Sequence, residues 1–192
     1  MASTPQPLPP LRRVVTGHKG DSAQSVVRDD SGIELKARAP TGAGPRFGTI
    51  WTVDKPQYEL NDERDLAAEG YEADKTALSD GSRLSVVDLP PGAISPLHRT
   101  VSLDYGIVLK GTVVMHLDDG STTKVEEGEV IVQRGTMHAW ENPSSSEWTR
   151  IIFHVAGAQG PFVAPDGTKL EEKFLSPPKP ANSHLLRTDS NL

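Results

Sequence analysis

Short apolar segments separated by Gly, Pro and Asp dominate the second half of the chain. From Arg83 they read RLSVVDL (83–89), SLDYGIVL (102–109), TVVMHL (112–117), STTKV (121–125), EVIVQ (129–133), HAWEN (138–142) and WTRIIFHV (148–155). They end at turn formers such as Pro90-Pro91-Gly92, Lys110-Gly111, Asp118-Asp119-Gly120 and Arg134-Gly135. Segments this short, at this spacing, predict an all-β sandwich or barrel. No helical pattern lies between them, which argues against a parallel α/β sheet. Upstream, Leu11–Thr16, Ser25–Arg28 and Phe47–Val53 predict an N-terminal β extension, with loop over 31–45. Asn61–Ala77 is the one stretch of helix formers, interrupted by Gly70, and predicts a short surface helix. The expected organisation is a leader over residues 1–10 and one domain over 11–165, with its core barrel at about 83–156. A tail over 166–192 carries Pro177-Pro178 and Pro180.

Composition narrows the classes. The chain has 192 residues, 35% of them hydrophobic and 24% charged, which suits one globular domain. A net charge of −6 gives no basic footprint for nucleic acid. Cysteine is absent, which excludes disulfides, thiolate metal sites and cysteine nucleophiles. No apolar run is long enough for a membrane-spanning helix, and no secretory leader is visible, so the expected location is cytoplasmic.

Two motifs carry the chemistry. The first runs Gly92-AISPL-His98-Arg99-Thr100-VSL-Asp104-YGIVLK-Gly111, and the second Gly128-EVIVQ-Arg134-Gly135-Thr136-Met137-His138-AWE-Asn142. Strand side chains alternate faces, so His98, Thr100 and Asp104 share a face if the strand stays regular. By the same parity His138, Trp140 and Asn142 share one. Two imidazoles and a carboxylate converging inside a barrel could bind a divalent metal facially. Without a metal, His98, Asp104 and His138 are acid–base candidates. Arg99 should face away, His116 should lie on the outer face, and His154 should be a satisfied core histidine.

This paired arrangement resembles the cupin superfamily, whose first motif is Gly-x5-His-x-His-x3–4-Glu-x6-Gly. Every spacing matches, with Thr100 in place of the second His and Asp104 in place of the Glu. In the second motif the His-xxx-Asn end is intact, and the Pro-x-Gly turn is a shorter Arg134-Gly135. The wording resembles small single-domain cupins of bacteria and fungi over roughly residues 11–165. The resemblance implies a double-stranded β-helix (jelly-roll) barrel with a central cavity. It implies an enzyme acting on a small, mostly apolar metabolite, by metal-assisted oxidation with Fe, Mn, Zn, Ni or Cu at His98, Asp104 and His138. Thr100, Tyr105, Trp140 and Asn142 are the substrate-contact candidates. The alternatives are a metal-free lyase, dehydratase or isomerase of secondary metabolism using the same histidines, and a non-catalytic binding cupin. A homodimer is the expected assembly.

Overall fold

The computed structural model describes residues 5–20, 22–37 and 44–181. Every regular element among them is a strand. An N-terminal hairpin pairs β1 (Leu11–His18) with β2 (Ser25–Ile33). Then come β3 (Lys36–Ala37), β4 (Arg46–Val53) and β5 (Ser82–Leu89). The first site motif spans β6 (Leu97–Arg99) and β7 (Ser102–Lys110), β8 (Thr112–Leu117) and β9 (Thr122–Glu126) follow, and the second motif spans β10 (Val130–Arg134) and β11 (His138–Glu141). The chain continues through β12 (Thr149–Gly157), the small hairpin β13 (Phe162–Val163) and β14 (Lys169–Leu170), and β15 (Lys173–Leu175).

The strands form a six-stranded sheet, ordered β10-β7-β12-β5-β4-β3, and a five-stranded sheet, ordered β15-β6-β11-β8-β9. From β5 to β12 the chain alternates between the two sheets except at the β8–β9 hairpin, and all pairings are antiparallel, as expected of a jelly-roll barrel. The alternation in β7 shows how sequence selects the faces. Ser102, Asp104, Gly106 and Val108 are buried, while Tyr105, Ile107 and Leu109 face out. Leu89, Val108, Val113, Val125, Ile131, Trp140 and Ile151 meet between the sheets as one cluster. Gly106 is required here, since a Cβ would lie 2.9 Å from the Phe153 ring that fills its place.

The outer face of the six-stranded sheet carries a buried ion pair. Arg150 donates from Nε and Nη2 to the two oxygens of Asp88, each at 2.7 Å, across a directly opposed strand pair. Its Nη2 also reaches the Pro9 carbonyl at 2.8 Å. The Trp148 indole donates to the Pro5 carbonyl at 3.4 Å. These two bonds hold residues 5–10, the segment read as a leader, along the barrel.

Two expectations change. The surface helix over 61–77 is absent: the segment is a series of turns, with Glu69 N bonding Asp65 O and Tyr71 N bonding Leu66 O. Gly70 at φ +72° and Glu72 at φ +43° take left-handed conformations that a right-handed helix excludes. The expected loop over 31–45 instead carries the end of β2, then β3, while residues 38–43 lie outside the described residues.

Ile151→Ala should cost about 2–5 kcal/mol of stability, because Ile151 is 0% exposed in the core cluster. Ile107→Ala, at 39% exposure, should cost under ~1 kcal/mol. Urea unfolding of both variants checks this difference. Asp88→Asn, which leaves Arg150 buried and uncompensated, should cost about 3–5 kcal/mol in the same assay.

Candidate functional site

The site begins with a strand pairing. β6 and β11 are joined through one residue pair, His98 opposite His138, so both side chains leave the five-stranded sheet on the same face. Their ring centroids are 4.3 Å apart, with planes inclined at 50°. Each Nδ1 meets a backbone carbonyl two residues upstream: Pro96 O at 2.8 Å for His98, and Thr136 O at 3.0 Å for His138. A carbonyl only accepts, so each Nδ1 carries the hydrogen and each Nε2 keeps its lone pair. Two neutral imidazoles therefore stand side by side, and no described residue bonds either Nε2.

Burial favours that neutral state. It pushes His138 down to about 4, helped by repulsion from a charged His98 and opposed by the Thr136 carbonyl. Burial likewise lowers His98, against the Pro96 carbonyl and the Glu172 carboxylate. Flat side chains extend the pair in both directions. Phe174 of β15 stacks on His98 at 5.8 Å and 6°, Trp140 meets His138 edge-on at 5.1 Å, and Phe153 lies 5.4 Å from Trp140. Phe174 had no place in the sequence reading. The alternation in Lys173-Phe174-Leu175 was its only signal, and three residues are too few to announce a strand.

Asp104 lies on the buried face of β7, in the opposite sheet. Its Oδ1 has no hydrogen-bond partner, and burial raises it to about 6, opposed by the Ser102 hydroxyl. Thr100 is buried, with its hydroxyl 2.7 Å from that of Ser102. Among the described residues, no three His, Cys, Asp or Glu side chains are grouped so as to hold a metal ion. Two imidazole Nε2 atoms, each braced through Nδ1, fit two positions of a transition-metal coordination sphere. The three-ligand grouping of His98, Asp104 and His138 is not assembled.

Other candidates fall elsewhere. Trp140 belongs to the core cluster while also forming the wall beside His138. Strand alternation turns Tyr105 outward, away from the face that carries Asp104, 42% exposed and against the His154 ring at 6.2 Å. Asn142 is fully buried. Its Nδ2 donates to Leu89 O and Glu147 O, and its Oδ1 accepts from Ser144 N, so its polar atoms brace the loop after β11. His154 therefore lies on the outer face rather than in the core. His116 does lie on the outer face, buried against Glu141 with Nε2 to Oε2 at 2.7 Å. Arg99 is buried, 4.0 Å from Asp118.

The opposed shifts of Asp104 and His138 have opposite signs in stability. A carboxyl raised from 3.8 to about 6 favours folding at low pH, and loses that contribution as pH rises through 6. An imidazole lowered from 6.5 to about 4 contributes above 6.5, and loses it as pH falls toward 4. Asp104→Asn, which removes the buried charge, should therefore stabilise the protein by about 2–3 kcal/mol at pH 8. The gain should shrink toward pH 4, where Asp104 is protonated; urea midpoints at the two pH values check it.

Comparison with known proteins fits this architecture. The cupin-domain family model matches residues 85–154. The phomopsin biosynthesis cluster protein D of Diaporthe leptostromiformis is 47% identical over 146 residues, covering 73% of this chain and 75% of that protein. A cupin-domain-containing oxidoreductase of Aspergillus ruber is 31% identical over 170 residues, covering 86% and 82%. A second such oxidoreductase, from Hypocrea virens, is 33% identical over 139 residues, covering 71% of each chain. With its motifs on β6, β7, β10 and β11 of a jelly-roll barrel, this chain belongs to the cupin family.

Proposed function

We propose that the chain is an oxidoreductase of secondary metabolism, acting on a small, mostly apolar organic molecule at the His98–His138 pair. The observation that carries this reading is the pair of neutral imidazoles with both Nε2 lone pairs unspent. Such a pair accepts a proton from a substrate O–H or activated C–H, the second ring sharing the charge through a hydrogen bond. Trp140 and Phe174 supply flat apolar walls on either side. The names of the Aspergillus and Hypocrea relatives support oxidation as the reaction class. The phomopsin-cluster name supports a biosynthetic setting.

The overall change consistent with this is loss of two hydrogens from a CH–OH group, giving a carbonyl. Dioxygen takes the two electrons and two protons as hydrogen peroxide. In the metal-free pair His98 or His138 receives the hydroxyl proton at Nε2; a metal held there would occupy those same lone pairs. A divalent transition metal, held at the two Nε2 atoms, would supply the electron path to dioxygen.

A second reading keeps the histidines and drops the redox step: a dehydratase, lyase or isomerase. The low proton affinity of His138 and the protonation of Asp104 near pH 6 favour it, since they provide a base and an acid in one barrel.

Replacing His98 and His138 by Ala in the producing organism, followed by metabolite profiling, separates the readings. Oxidation predicts one accumulated precursor, heavier than the lost product by two hydrogens. A precursor of equal mass, or heavier by one water, would replace it with the second reading. An unchanged profile would remove both.

Self-association belongs to the same proposal. β10 is a sheet edge without Lys or Pro, and its outward Val130 and Val132 are 62% and 55% exposed beside Tyr105, Ile107 and Leu109. A second copy covering this stripe would give a two-fold dimer. Light scattering should give twice the chain mass, and Val130→Glu with Val132→Glu should return it to one. A wild-type monomer at working concentration would remove the dimer.

A further inference from the structure

We propose that a cavity outside the His98–His138 centre binds a small, largely apolar monocarboxylate, with the Arg134 guanidinium as its anchor. The cavity lies beneath the β13–β14 hairpin and measures about 210 Å³. That is below the roughly 300–1,000 Å³ of sites for drug-sized ligands, and suits a single ring or short alkyl chain. Neither site histidine nor Asp104 lines it.

The lining selects the ligand class. Val101, Leu103, Ala158, Pro161, Phe162 and Leu170 form apolar walls. Thr100 and Ser102 also line it, but their hydroxyls are turned to each other at 2.7 Å, and that of Ser102 serves Asp104. Arg134 is the only charged residue in the lining, and no side chain among the described residues pairs with it. It ends β10 opposite Leu103, and Gly135 follows at φ +59°, a left-handed turn that brings the chain back past Thr100 and Ser102. Arg134 is an exposed residue of that lining, and a planar guanidinium matches one carboxylate carried on an apolar body, through two parallel N–H···O bonds. An uncharged ligand leaves that fork unused, and a dianion brings a second charge against apolar walls.

The roof supplies an independent observation. β13 and β14 share only two residue pairs, closed by a turn in which Ala164 N bonds Thr168 O. Such a short isolated hairpin has little stability of its own. Phe162 lines the cavity yet is 61% exposed. An apolar ligand body would give that ring the contact it lacks. Thr100 lies in the turn joining β6 to β7 and Ser102 opens β7, so an occupied cavity bears on the segment between His98 and Asp104.

Benzoate and its neutral isostere benzamide are the probes, titrated into the full chain and followed by amide chemical shifts. Benzoate should bind saturably, shift the Gly135 and Gly160 amides, and bind about tenfold or more tightly than benzamide. Arg134→Gln should abolish that preference, Phe162→Ala should weaken both ligands alike, and His138→Ala should leave benzoate binding intact. Equal binding of the two probes, or benzoate binding insensitive to Arg134→Gln, would overturn the site. So would benzoate binding lost in His138→Ala, which would place the ligand in the barrel. No benzoate binding at all would overturn it too, while leaving the metabolite test of the histidines untouched.

Discussion

The pairing of β6 with β11 is the constraint on which the site depends. A three-residue strand contributes few hydrogen bonds, yet its register places His98 directly opposite His138. A slip of one residue would send His98 to the other face. The short strand is pinned from both sides. β15 pairs along all three of its residues, and across the β11 junction Ser95 N bonds Trp140 O while the Ser95 hydroxyl accepts from Trp140 N. The backbone carbonyls of Pro96 and Thr136 then set both rings. Geometry and protonation state follow from backbone placement, with no charged partner needed to orient either imidazole.

Much of this was legible in the sequence because strand alternation is a strict rule. The seven segments after Arg83 correspond to β5 and β7–β12, within one or two residues at each end. The face assignments of Asp104, His138 and Trp140 follow from counting by twos. Elsewhere alternation or a longer-range interaction decided. Tyr105 obeyed the alternation, which excluded it from the interior. Asn142 ended a strand and was taken up by Leu89, Ser144 and Glu147, partners that only the folded chain brings near. Asn61–Ala77 has helix-forming residues, yet its backbone wraps around Arg83, whose guanidinium reaches the carbonyls of Tyr71 and Lys75. β15 was invisible because its reason to be a strand is the edge of β6, far away in sequence.

The polar groups inside the barrel are held in unequal ways. His98 and His138 each have one bond to a backbone carbonyl, and are stable as neutral rings. Asp104 has a single hydroxyl beside it and an orphaned Oδ1. A buried carboxylate so poorly supplied costs stability when ionised. Such a cost persists in a folded protein where the group serves something other than folding. Across the barrel, the unspent Nε2 atoms make the same kind of demand, since two acceptors facing one space need a donor or a cation between them. A titratable carboxyl on one sheet and two imidazoles on the other are the groups that the proposed chemistry would draw on.

The outer faces resolve the corresponding problem by other means. Each sheet carries a buried ionisable pair on its outside, Asp88 with Arg150 on one and His116 with Glu141 on the other. A pair of polar side chains shut away from water needs further hydrogen bonds to be tolerated. In both cases a terminal segment delivers one from its backbone: Pro9 O accepts from Arg150, and Ala181 N donates to Glu141 at 2.9 Å. The two ends of the described chain thus act as straps, each fastened by a polar group that would be costly to bury without it. Covering both outer faces in this way leaves the stripe over β7 and β10 as the broad apolar surface still open.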